Sequence, residues 1–200
     1  MVMGHDALGS LKLIEMVRVV KDIDLIDHVG EYDVCLVGTN LYVSMSNGFQ
    51  YQVAKLYPYV FERNLETKYG DIFKMGTIVK CEEEGCPTFC LCFISKGCGF
   101  RQDQGKEYIS YEALEKCLRL VNIVYKGKRI ATTMIGCNKY DGNGSKEKVV
   151  EIVERTMKDV DITLYDYEQK NRSGIKPIER RHFTYIRKNK NKQDKDDGNT

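Results

Sequence analysis

Short apolar runs alternate with helical stripes along this chain, and the runs lack the strict polar–apolar alternation of a half-exposed strand. Strands that are apolar on both sides must be covered on both sides, which confines the chain to a layered α/β fold with a mostly parallel sheet. Leu11–Val20 (LKLIEMVRVV) reads as an opening strand, and Asp33–Gly38 (DVCLVG) as a buried strand closed by glycine. In Gly48–Tyr57 the residues Phe49, Val53 and Leu56 share one face of a helix, which Pro58 stops. Gly76–Lys80 and Thr88–Ile94 are strands separated by a turn at Glu82–Pro87. Tyr111–Val124 is a helix with Leu114, Leu118 and Val121 on one face and Cys117 beside them. Ser110 is placed to cap it, and Glu112 suits the positive end of its dipole. Arg129–Ile135 is the next strand. Ser145 then caps a helix through Met157 with a stripe of Val149, Val150, Ile152, Val153 and Met157, and Glu151 and Arg155 are spaced to pair on its outer side. Asp161–Tyr167 is the last strand, with Tyr165 and Tyr167 on one face.

Two hundred residues bound this to about one domain with a tail. The expected division is an N-terminal extension at 1–10, an α/β domain at 11–168 and a basic, disordered tail at 169–200. The longest apolar run, Phe89–Ile94, is far too short to span a bilayer, so no membrane association is expected. Met1–Ser10 has neither the basic start nor the apolar stretch of a signal peptide, which points to the cytoplasm or another intracellular compartment, an infected host cell included. Eight cysteines in such a setting read as free thiols. Cys81, Cys86, Cys90, Cys92 and Cys98 do not form a pair of two-residue clips and have no histidine near them, so no metal or cofactor is expected. Cys90 and Cys92 share one strand face and read as core. The net charge of +2 hides an asymmetry: Lys170–Thr200 carries ten Lys/Arg against four Asp/Glu, which leaves the body mildly acidic. A tail of that kind is either a solvated end or a contact for nucleic acid.

Two loops stand where α/β sheets bind ligands, between a strand end and a helix start: Gly38–Gly48 (GTNLYVSMSNG) and Gly136–Gly144 (GCNKYDGNG). The exposed N–H groups at a helix start favour anions, and two such loops suit a ligand with more than one phosphate.

The second loop in context, Ile130–Glu154 (IATTMIGCNKYDGNGSKEKVVEIVE), resembles the macro domain pattern of a strand ending in Ile-Gly-Cys-Gly, a loop, and a helix with a Lys-Val-Ile-Glu type run. Val19-Val20-Lys21-Asp22-Ile23 resembles the same family's Val-Lys-Gly-Asp-Ile start. Asp33–Tyr57 resembles its strand, Asn, Met-Gly-x-Gly loop and helix. Ile94–Leu114, ending in Ser-Tyr-Glu-Ala-Leu, resembles the middle of the subgroup that holds the terminal ADP-ribose protein glycohydrolase, antitoxin-type DNA ADP-ribosylglycohydrolases and small ADP-ribose 1''-phosphate phosphatases. The four stretches occur in order over Leu11–Glu168. The resemblance implies a three-layer α/β/α domain with a mixed, mostly parallel sheet and a cleft for ADP-ribose, free or carried by protein or nucleic acid.

The resemblance also assigns roles. Asp22 holds the adenine amino group, with Ile23 beside it, and Asn40 reaches the distal ribose. Met45, Ser46, Asn47 and Gly48 form the first phosphate loop, and Gly136, Cys137, Asn138 and Tyr140 the second. Two positions depart from the pattern, Ser46 and Asn138, each standing where the family has glycine. If those positions need a left-handed backbone, Ser46 is costly and Asn138 less so. Phe93-Ile94-Ser95-Lys96 resembles the subgroup's Leu-Ile-Thr-Lys, which makes Lys96 the candidate nucleophile on the ribose anomeric carbon, its amine kept neutral by burial. Asp141 is the candidate acid, one residue later than in the subgroup, as if the loop had gained a residue. The expected activity is hydrolysis of an ADP-ribosyl linkage. The alternatives are the phosphatase reaction, in which water attacks and no lysine is needed, and a catalytically silent reader of ADP-ribose or a related nucleotide.

Overall fold

The computed structural model describes residues 17–97, 106–138 and 142–167. Six strands form one sheet: β1 Val17–Lys21, β2 Val34–Asn40, β3 Ile78–Cys81, β4 Phe89–Ser95, β5 Arg129–Thr133 and β6 Asp161–Asp166. Their order is β1-β6-β5-β2-β4-β3. Every pairing is parallel except β3–β4. Four helices pack on the sheet: α1 Gly48–Leu56, α2 Pro58–Leu65, α3 Tyr111–Val124 and α4 Lys146–Thr156. This is the mixed, mostly parallel α/β/α arrangement expected from the doubly apolar strands.

Alternation along the strands divides the core into two layers. Leu36, Cys90, Cys92, Ile130, Ile162 and Leu164 meet Leu114, Leu118, Val121, Val149 and Val153 of α3 and α4. The intervening residues Cys35, Val37, Phe89 and Leu91 are equally buried and look the other way. There α1 lies along β2, α2 lies along β3, and Tyr57 and Tyr59 pack their rings on Phe89. Cys90 and Cys92 are thus core side chains under α3, as their spacing indicated.

The structure corrects several boundaries. The opening strand runs one residue further than read, to Lys21, and its expected start at Leu11–Met16 lies outside the described residues. Pro58 ends one helix and opens the next, because its missing N–H is no loss at a first helical position. The buried stripe of α1 is Gln50, Val53 and Ala54, and Leu56 is 58% exposed, so the Phe49–Val53–Leu56 face is rotated from the one observed. Tyr165 is buried, whereas Tyr167 lies beyond the strand and is exposed.

Candidate functional site

Five parallel strands end at one edge of the sheet, and the described residues that follow them start from there: 22–24 after β1, 41–47 after β2, 96–97 after β4 and 134–138 after β5. β5 and β2 are neighbours, so their loops lie side by side. At the β1 end, Asp22 takes a left-handed backbone (φ +59°) and its N–H donates to the Asp166 carbonyl at 3.1 Å, closing the turn onto β6. Asp22 and Ile23 are both exposed.

The loop after β2 starts at an irregularity. Thr39 pairs with Phe93 but Asn40 with Ser95, a bulge of the kind that redirects a chain at the rim of a sheet. Asn40 is 1% exposed. Its Oδ1 accepts from the N–H of Tyr42 (2.9 Å) and Ser44 (3.4 Å), and its Nδ2 donates to the Ser44 carbonyl (2.9 Å). The side chain assigned to the distal ribose is thus engaged in shaping its own loop. Met45 is 2% exposed and anchors that loop inward, away from any surface ligand. Ser46 and Asn47 stand at the tip, with the Ser44 and Ser46 hydroxyls 3.0 Å apart. The left-handed residues are Val43 (φ +56°) and Gly48 (φ +54°), not Ser46. The lost glycine therefore costs no backbone strain, and the strain falls on a β-branched residue three positions earlier.

In the loop after β5, Gly136 is left-handed (φ +75°) and its carbonyl accepts from the Gly144 N–H at 3.0 Å. The left-handed asparagine is Asn143 (φ +51°) and not Asn138. Gly142 backs so closely onto Gly136 that any β-carbon there would run into the Gly136 carbonyl. Cys137 is half-buried, and burial pushes its thiol up to about 12. Asn138 is exposed and touches the other loop: a β-carbon built on Gly48 would stand 3.1 Å from Asn138 Nδ2. Tyr140 and Asp141 lie outside the described residues.

The two helices that follow these loops differ at their starts. The hydroxyl of Ser145 accepts from the Lys148 N–H at 3.3 Å, and Glu147 brings a carboxylate into the first turn of α4, so that end is already served. α1 has no acidic residue in its first turn, and no side-chain cap bond from Asn47 is seen among the described residues. Of the two, only α4 already has a carboxylate at the positive end of its dipole.

Lys96 follows β4 at the same edge, beyond Ser95, whose hydroxyl donates to the carbonyls of Gly97 (3.0 Å) and Tyr108 (3.1 Å). Lys96 is exposed, so the burial expected of a nucleophilic lysine is not observed.

No protein-family model matches this sequence, and no curated protein does. Solved structures match it in fold. A protein of unknown function from Bacteroides thetaiotaomicron aligns with a TM-score of 0.61 at 19% identity, over 75% of this chain and 97% of that one. Thermosipho africanus DarTG, in complex with ADP-ribose, aligns with a TM-score of 0.59 at 15% identity, over 77% of this chain and 43% of that one. The macrodomain of Mycobacterium tuberculosis DarG aligns with a TM-score of 0.53 at 18% identity, over 76% of this chain and 98% of that one. The chain has a macrodomain fold. At these identities the likeness is one of architecture, and the residues at the edge must speak for themselves.

Within the macrodomain fold, further residues that the sequence reading did not single out shape this edge. Asp24 caps the short turn Leu25–Asp27 through Oδ1 (3.3 Å to the Ile26 N–H), and its Oδ2 accepts from Gln52 Nε2 of α1 at 2.7 Å. Lys146 pairs with Asp166 at 2.7 Å, tying α4 to the end of β6. An Asp before a turn is a capping signal, so Asp24 could have been found by its spacing. The partnership with Gln52, 28 residues away, could not.

Proposed function

We propose that this chain binds ADP-ribose, free or as the end of an ADP-ribosylated protein or nucleic acid, at the carboxyl edge of its sheet. The observation that carries this reading is the close approach of Gly48 to Asn138, which brings the loops after β2 and β5 together beside the N-terminus of α1. A pyrophosphate lying across that junction would face the first N–H groups of α1 and the backbone around Gly136. Asp22 and Ile23, in the turn after β1 and two strands from β5, would then take the adenine, the carboxylate accepting from its amino group. The ADP-ribose held by the similarly folded DarTG supports the same ligand. In this reading Ser46, Asn47, Gly48, Gly136 and Asn138 line the ligand, while Asn40, Met45 and Cys137 hold the loops in shape.

Calorimetry with ADP-ribose tests the reading. Binding is expected to weaken by about tenfold in Asp22→Asn, where a donor replaces an acceptor. It is expected to fall at least as far in Gly48→Ala, whose methyl group would press on Asn138 and whose left-handed backbone costs about 1 kcal/mol. Absence of heat from the unmodified chain at millimolar ligand would overturn it.

A second step is proposed on the position of Lys96 at the same edge, hydrolysis of the ADP-ribosyl linkage: bound substrate would cover the exposed Lys96 amine, which attacks the anomeric carbon as Asp141 protonates the departing group, and water then cleaves the lysyl–ribose bond. Incubation with ADP-ribosylated protein or DNA reports on it, and Lys96→Ala should abolish turnover. Turnover that survives, together with phosphate release from ADP-ribose 1''-phosphate, would replace the lysine route by the phosphatase route. Binding without either activity would make the chain a reader. The basic segment Lys170–Thr200 is proposed to add nucleic-acid contact. Truncation after Gln169 should then remove most of the salt dependence of nucleic-acid binding.

A further inference from the structure

α1 carries contacts to both halves of the proposed site on one side. Gly48 and Gln52 are four residues apart and stand one above the other on the helix. Gly48 meets Asn138 of the loop after β5. Gln52 donates from Nε2 to Asp24 Oδ2 at 2.7 Å, in the segment that follows Asp22 and Ile23. The other oxygen of the same carboxylate caps the Leu25–Asp27 turn, so Asp24 fixes the local shape of its segment and its attachment to α1 at once. Among the described residues the segment is also held by the bond from the Asp22 N–H to the Asp166 carbonyl and by Leu25, which is fully buried where its turn packs on α1 and β5; the Gln52 bond is the side-chain tie that reaches it from α1. A hydrogen bond to an ionised carboxylate in a half-buried setting is among the stronger single contacts available to such a joint.

We infer that the Gln52–Asp24 bond is a positioning strut that sets the span between the adenine turn and the pyrophosphate loops, and so makes ADP-ribose bind as one ligand and not as two weakly held halves. This rests on the proposed ADP-ribose site. A ligand with two anchored ends gains affinity from the fixed spacing of its anchors, and that gain is lost when the spacing fluctuates even if each anchor is intact.

Gln52→Leu removes the strut and leaves the Asp24 cap in place. Titration by calorimetry or amide shifts should show the affinity for ADP-ribose falling about tenfold, with AMP and ribose 5-phosphate each within about twofold of the unmodified chain. Asp24→Asn retains the capping oxygen and can pair its amide with that of Gln52, and it should keep most of the ADP-ribose affinity. Unchanged ADP-ribose affinity in Gln52→Leu, or an equal loss for AMP alone, would overturn the inference. Hydrogen exchange of the free protein gives a readout that needs no ligand: in Gln52→Leu it must rise in both 22–27 and 46–50, and a rise in one or neither also overturns it. Failure of the unmodified chain to bind ADP-ribose would instead strike the proposed function, with the strut still judged by exchange.

Discussion

Val43 is the residue under most evident backbone strain near the site. A β-branched side chain at φ +56° costs about 1–2 kcal/mol relative to an extended backbone, and such costs persist where the surroundings over-determine them. The surroundings here are visible: the Asn40 amide pins Tyr42 and Ser44 on either side of it. Val43→Asn, which tolerates the left-handed region, is expected to stabilise the fold by about 1 kcal/mol in a urea melt. Asn64 makes a complementary case. Its amide is fully buried on α2 with no side-chain hydrogen-bond partner among the described residues, and Asn64→Leu is expected to stabilise the fold by about 1–3 kcal/mol in the same measurement. The sequence stretch around Asn40 announced a loop that matters but not which member bears the strain. That depends on where the bulge at Thr39–Asn40 turns the chain, a tertiary detail.

Elements were legible where one face is uniformly apolar and the ends carry their own chemistry. α3 runs over the span read for it, Tyr111–Val124, with Leu114, Leu118 and Val121 fully buried and Ser110 accepting from the Ala113 N–H at 3.3 Å. Ser110→Ala is therefore expected to cost about 1 kcal/mol, seen as a lower urea midpoint with an unchanged slope. α4 is equally plain, and its outer Arg155 reaches Glu115 of α3 (2.6 Å) besides Glu151 (3.3 Å). α1 was misread because its buried stripe includes an amide, Gln50, which an apolar-face reading counts as exposed; α2 was not read at all, and its stripe likewise holds a buried amide, Asn64. The same blindness hid Gln52. Motif order pointed to the turns that hold Asp22 and Gly48, both left-handed in the structure, but not to the inward turn of Asn40 and Met45.

Across the whole molecule, the core keeps its thiols out of reach. Cys35, Cys81, Cys90, Cys92 and Cys117 are buried, and of the described cysteines only Cys86 is exposed. Burial raises Cys35, Cys81 and Cys137 to about 12, which leaves roughly one thiolate in ten thousand at pH 8. Brief iodoacetamide treatment at pH 8 followed by peptide mass spectrometry should thus mark Cys86 and spare these three, and the labelling of Cys137 should rise only as the pH approaches the alkaline range. Among the described residues no helix is long and apolar enough to cross a membrane. The strand order itself also governs how the chain is born. Among the described residues β1 pairs only with β6, and Val17 meets Ile162 about 145 residues downstream, so at about 5–20 residues per second β1 waits on the order of ten seconds during synthesis for that neighbour. β3 and β4, by contrast, find each other almost at once. A nascent copy is therefore built from its β3 edge across to its β1 edge, with the earliest-made strand the last to be closed in and the one a ribosome-side chaperone would have most reason to guard.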